Sequence, residues 1–70
     1  MKNNTLTFGL FTDAQRVANF LIANRMSFTF SAMRTELGYH LIFVWDIDLH
    51  YAQGFCHTHA IACISRYLEQ

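Results

Sequence analysis

Residues 39–47 constrain the fold more than any other stretch of this chain. Tyr39, Leu41, Phe43, Trp45 and Ile47 occupy one parity, while Ile42 and Val44 occupy the other, between His40 and Asp46. Side chains alternate across a strand, so a strand here is apolar on both faces. A hairpin strand with one wet face would instead alternate apolar with polar. The segment is therefore expected at the centre of a sheet, with Trp45 pointing into the core beside Tyr39, Leu41 and Phe43. A short chain has little material to cover two sheet faces. The second face is expected to be covered from outside the monomer, by another copy or by a partner.

The chain has 70 residues, enough for one small domain over residues 1–70, and such a domain buries only about 60% of its unfolded surface. Yet 53% of the residues are hydrophobic, with seven Phe, three Tyr and one Trp. That is more apolar surface than one small core absorbs, and it points to an interface. Formal charge is zero, and the cations Lys2, Arg16, Arg25, Arg34 and Arg66 are scattered. Without a basic stripe, general nucleic-acid binding is not expected, although Phe28, Phe30 and Tyr39 are of the type that stacks on bases.

The only cysteines are Cys56 and Cys63. On one continuous helix their Cα atoms would stand about 10 Å apart, too far for a disulfide. Reduced thiols, together with no apolar leader behind Lys2, predict a cytoplasmic protein. The longest apolar run, Leu41–Trp45, is far too short to span a bilayer, so no membrane partner is expected.

Local patterns predict the order β-α-β-β-α. Residues 4–11 alternate as a strand. Thr12 and Gln15 form a capping box for a helix running to about Met26. Residues 27–35 form a second strand, and Glu36-Leu37-Gly38 turns it into the third. Asp46 or Asp48 then caps a second helix reaching about Leu68. The expected fold class is α+β: a three-stranded mixed sheet of order 1-3-2, with both helices on one face. No internal repeat is visible.

The densest cluster of reactive groups is His50, Cys56, His57, His59 and Cys63. His59 and Cys63, one helical turn apart, have the spacing of a zinc-ligand pair, but Cys56 and Cys63 reach a shared metal poorly. Cysteines as small apolar residues on a packed helix face explain the pattern better. No cofactor, no metal and no catalytic residue is expected. The resulting expectation is a non-enzymatic protein-interaction module, a homodimer that binds and modulates or inhibits another protein. Its interface candidates are His40, Ile42 and Val44 on the open sheet face, with Phe20 and Tyr51 exposed on the helices. Size and neutral, apolar composition fit the short accessory proteins of phages and mobile elements as a class. The alternative is a small Cys/His metal-binding or redox protein.

Overall fold

Six elements follow the chain: β1 (Thr5–Phe8), α1 (Phe11–Ala23), β2 (Phe28–Thr35), β3 (Gly38–Phe43), α2 (Asp46–Thr58) and β4 (Ile64–Arg66). The computed structural model describes residues 2–35 and 38–67, with the side chains of 31–35 left aside. The strands form one sheet of order β2-β3-β1-β4, antiparallel at every pairing. As the two-faced apolar pattern requires, β3 lies inside the sheet between β1 and β2. The expected neighbours, β1–β3 and β3–β2, are both present and antiparallel, but the sheet has four strands and not three: a further antiparallel strand beside β1 makes the order 2-3-1-4. The added strand comes from residues expected to prolong the second helix.

That helix stops early because the chain turns left-handed. Ala60 has φ 54°. The Ile61 amide donates to the Cys56 carbonyl (2.8 Å), and the Ala60 amide to the His57 carbonyl (3.4 Å). These two bonds make a Schellman motif, which normally places glycine where Ala60 stands. The motif buries Ile61 against the core and sends the chain back along β1 as β4. Leu68, the expected helix end, lies outside the described residues. So do Glu36 and Leu37 of the expected turn. Gly38 does take a positive φ, 111°, and a Cβ there would run into the Phe8 carbonyl oxygen.

Both helices start without the expected side-chain caps. Leu10 and Trp45 are the N-caps, each with extended backbone and no capping side-chain bond. Thr12 lies inside α1. Asp46 and Asp48 occupy the first turn of α2, where the helix dipole favours them, and they end the strand at Phe43. Trp45 therefore does not enter the core: it is 61% exposed, and Ile47 is 62% exposed on the helix.

The halves of the chain repeat at an offset of 35 residues. Phe11–Ala23 maps onto Asp46–Thr58, and the C-caps Asn24 and His59 map onto each other, as do the left-handed Arg25 and Ala60. Met26 closes the first Schellman motif by donating to the Leu21 carbonyl at 2.9 Å, as Ile61 closes the second. The ladders correspond too: Phe30↔Leu41 matches Ser65↔Leu6, and Thr29↔Ile42 matches Ile64↔Thr7. Leu6 and Leu41 are counterparts and also face each other across β1 and β3, so a pseudo-twofold axis passes between them. Two β-α-β units thus interleave in one sheet, the split β-α-β or ferredoxin-like topology.

One sheet face and two helix stripes make the core. Leu6, Phe8, Leu41 and Phe43 meet Ala14, Val17, Ala18 and Leu21 from α1 and Leu49, Ala52 and Cys56 from α2. On the opposite sheet face Thr5, Thr7 and His40 are also buried. Their cross-strand neighbours there are Ile42, Ile64 and Arg66.

Candidate functional site: an uncharged groove on the helix layer

The outer side of α2 repeats apolar and small residues at Ile47, Tyr51, Gly54 and Thr58, a stripe facing away from the buried Leu49, Ala52 and Cys56. Beside it, Phe20 of α1 stacks on Phe55 of α2, with centroids 4.3 Å apart and planes at 30°. Phe55 in turn stacks on His59 at 4.1 Å. The His59 ring is fixed by a 3.0 Å bond between Nδ1 and the Phe55 carbonyl. A carbonyl only accepts, so Nδ1 is the protonated nitrogen in this bond. This column and stripe, with His50, line an open groove of about 530 Å³. None of the lining residues is Lys, Arg, Asp or Glu. A groove of this kind gains by losing water to apolar contact, with the polar atoms of His50, Tyr51, Thr58 and His59 on its walls and no Lys, Arg, Asp or Glu to pair with a charged ligand.

The opposite face of the molecule differs in character. His40 Nδ1 and the Thr7 hydroxyl share a 3.0 Å hydrogen bond inside the sheet surface. Burial pulls the His40 pKa below its ordinary value, and the nearby Arg66 guanidinium lowers it further. Arg66 Nε is itself buried with no hydrogen-bond partner. This face mixes buried polar groups with Ile42 and Ile64 and is not the apolar surface the parity of residues 39–47 suggests.

The five interface candidates thus fall in three places. Phe20 and Tyr51 come together in the groove. His40 is buried and Ile42 half-buried on the far sheet face. Val44 is not on a strand face at all: it lies past the end of β3, exposed in the short link to α2. Phe20 is less free than its place off the apolar stripe implies, because it is half-buried against Phe55. Ile47, His50, Gly54, Phe55, Thr58 and His59 complete the groove; of these, Ile47, Gly54 and Thr58 follow with Tyr51 an i, i+4, i+7, i+11 spacing on the outer side of the second helix, the one signal the sequence holds for it.

The reactive cluster is also rearranged. With the helix ended at Thr58 and the chain doubled back, Cys63 packs against the core that holds Cys56, near enough for its thiol to disfavour the Cys56 thiolate. The helical spacing that kept them apart does not apply. Burial first, and then the neighbouring Cys63, push the Cys56 thiol up to about 12. Both cysteines are free. Among the described residues no three His, Cys, Asp or Glu side chains converge on a metal position, and no helix is long and apolar enough to cross a membrane. No known protein family, curated protein or solved structure matches this chain, so the geometry alone carries the functional reading.

Proposed function

We propose that this chain is a non-enzymatic protein-interaction module that acts by occupying an apolar surface of another protein, without turnover. The observation that carries this reading is the groove: open, aromatic, free of formal charge, and flanked by Ile47 and Tyr51, which are 62% and 56% exposed. Exposed aromatic anchors beside a pocket are the kind of feature that dominates interface energetics. Modulation or inhibition of the bound protein is the consequence expected of a module with no chemistry of its own, and the small, neutral, apolar chain suits an accessory protein of a phage or mobile element. The test is capture from the native host with wild-type protein and with Tyr51→Ala, an exposed change that leaves the Phe20–Phe55 stack in place. Binding lost with the variant and an unchanged circular dichroism spectrum support the reading. Binding that survives Tyr51→Ala and Ile47→Ser together defeats it.

A second reading, a small redox protein, rests on the adjacent thiols of Cys56 and Cys63. It requires that Cys56→Ser in a folded chain abolish activity in the cell while changes in the groove are silent. The opposite pattern belongs to the interaction module.

A further inference from the structure

We infer that in the free protein the groove is held by a second copy of this chain, paired α2 against α2 in antiparallel fashion about a twofold axis, so that another protein must displace that copy to reach it; this rests on the reading of the groove as an interaction surface. Ile47, Tyr51, Gly54 and Thr58 are spaced alternately 4, 3 and 4 apart, the alternation of a heptad seam between helices packed at a shallow crossing angle. Helix α2 therefore carries two apolar seams. Leu49, Ala52 and Cys56 face the sheet, while the other seam faces outward with nothing of the described chain upon it.

Gly54 is the decisive residue. Glycine is a poor choice in the middle of a helix, and here the fold does not require it. Its backbone is ordinary helix, and beyond its chain neighbours and the surrounding helix backbone nothing lies within 4 Å of where a Cβ would stand. The notch it leaves is open space on the outer seam. Antiparallel pairing about a twofold sets Tyr51 over the partner's Gly54 and the partner's Tyr51 over Gly54, with Ile47 against the partner's Thr58 at each end. Large meets small at every layer, which is what an isologous interface demands of a single helix. A foreign helix would have to supply this same alternation by coincidence, whereas the chain supplies it to itself.

Charge agrees with the pairing. The seam holds no Lys, Arg, Asp or Glu, and the chain is neutral overall, so two copies meet without net repulsion. Phe20, stacked on Phe55, forms the wall against which the partner helix rests.

Sedimentation equilibrium on the full chain at tens of micromolar tests this. Wild type is expected at twice 8.2 kDa. Tyr51→Ala should weaken the dimer at least tenfold. Gly54→Leu should do the same while raising the helix content and thermal stability of the monomer, because leucine is the better helix former and only the notch is lost. A purely structural role for Gly54 would give the stabilisation without the dissociation. A cysteine pair, Ile47→Cys with Thr58→Cys in a Cys56→Ala, Cys63→Ala background, should cross-link copies under mild oxidation. A dimer broken by Ile42→Glu on the sheet face and indifferent to Gly54→Leu overturns the inference. So does a wild-type monomer at every concentration. If that monomer still loses host-protein capture on Tyr51→Ala, the groove is an interface for a different protein and the interaction reading stands. If capture too is indifferent, both fall.

Discussion

Phe20 and Phe55 stack ring on ring at 4.3 Å, and each is the other's counterpart across the 35-residue offset between the two halves. The pseudo-twofold axis that passes between Leu6 and Leu41 in the sheet passes between these two rings in the helix layer. One identity at each end of the axis therefore closes the contact between halves. Both rings are half-buried. Phe20→Ala and Phe55→Ala are each expected to cost about 2 kcal/mol, below the range for fully buried Phe. The double variant should fall short of the sum by about 0.5–1.5 kcal/mol, the share of the stacked pair. Urea unfolding of the four-member cycle measures this, and strict additivity would show that the rings do not couple.

His40 makes stability depend on pH. Its folded-state pKa is lowered from the ordinary 6.5, chiefly by burial and further by Arg66. A lowered histidine pKa means the folded state holds fewer protons than the unfolded chain just below 6.5. The stabilisation from the neutral ring is thus complete above the unfolded pKa and is lost as pH falls through 6.5 towards the folded value. The melting temperature should fall between about pH 7.5 and about pH 5. His40→Gln should flatten that slope. An equally steep slope in the variant would assign the effect elsewhere.

The left-handed positions give changes of opposite sign. Ala60, at φ 54°, carries a Cβ where the Schellman turn prefers none. Ala60→Gly should stabilise by about 0.5–1 kcal/mol after the extra freedom of the unfolded glycine is allowed for. In a domain of this size that is a rise of roughly 3–6 °C in the melting temperature. Gly38→Ala should do the reverse, by about 2–4 kcal/mol, because its Cβ meets the Phe8 backbone at a positive φ. Calorimetry of the two variants, read for the sign of each shift, decides both.

The two thiols should react in order. Cys56 is buried and its thiol is pushed up to about 12, whereas Cys63 is only half-buried. The thiolate is the nucleophile. Iodoacetamide at mildly alkaline pH should label Cys63 well before Cys56, as peptide mass mapping over time will show. Simultaneous labelling would mean that the end of α2 opens on the timescale of the reaction.

The central place of β3 was readable because its apolar residues fall on both parities, a pattern that only an inner strand tolerates. The same alternation, carried on through Trp45 and Ile47, misleads: nothing apolar or polar changes at Phe43, and only the two aspartates mark a helix start. The fourth strand was hidden by a different ambiguity. Ala60, Ile61, Cys63 and Ile64 fit the helical stripe begun at Phe55 and Cys56, and the helix is ended by an alanine in a glycine's conformation, with no proline or glycine to announce it. The repeat was hidden by compensating sizes. Only Leu6/Leu41, Phe8/Phe43, Asp13/Asp48 and Phe20/Phe55 are identical, while the other helix positions trade volume: Ala14 with Leu49, Val17 with Ala52, Leu21 with Cys56. Tyr51 was recognisable as an exposed anchor, but the groove around it depends on where α1 lies, which no local pattern records.

The interleaving of the two halves also dictates how the chain must fold. Neither β-α-β unit owns a contiguous sheet: β1 and β2 do not touch, nor do β3 and β4. Among the described residues the only sequence-local ladder is the β2–β3 hairpin; β1 must find β3 across about half the chain and β4 across almost all of it, with the Asn4 amide bonding the Arg66 carbonyl at 3.0 Å. Loop-closure entropy is therefore spent before most of the contacts that offset it are made. A fragment ending at Thr35 would leave two strands with no neighbour to pair with. Folding is expected to be all-or-none, with a barrier set by the docking of β1. Amide exchange should then show protection lost together across both halves, without an independently stable half-molecule.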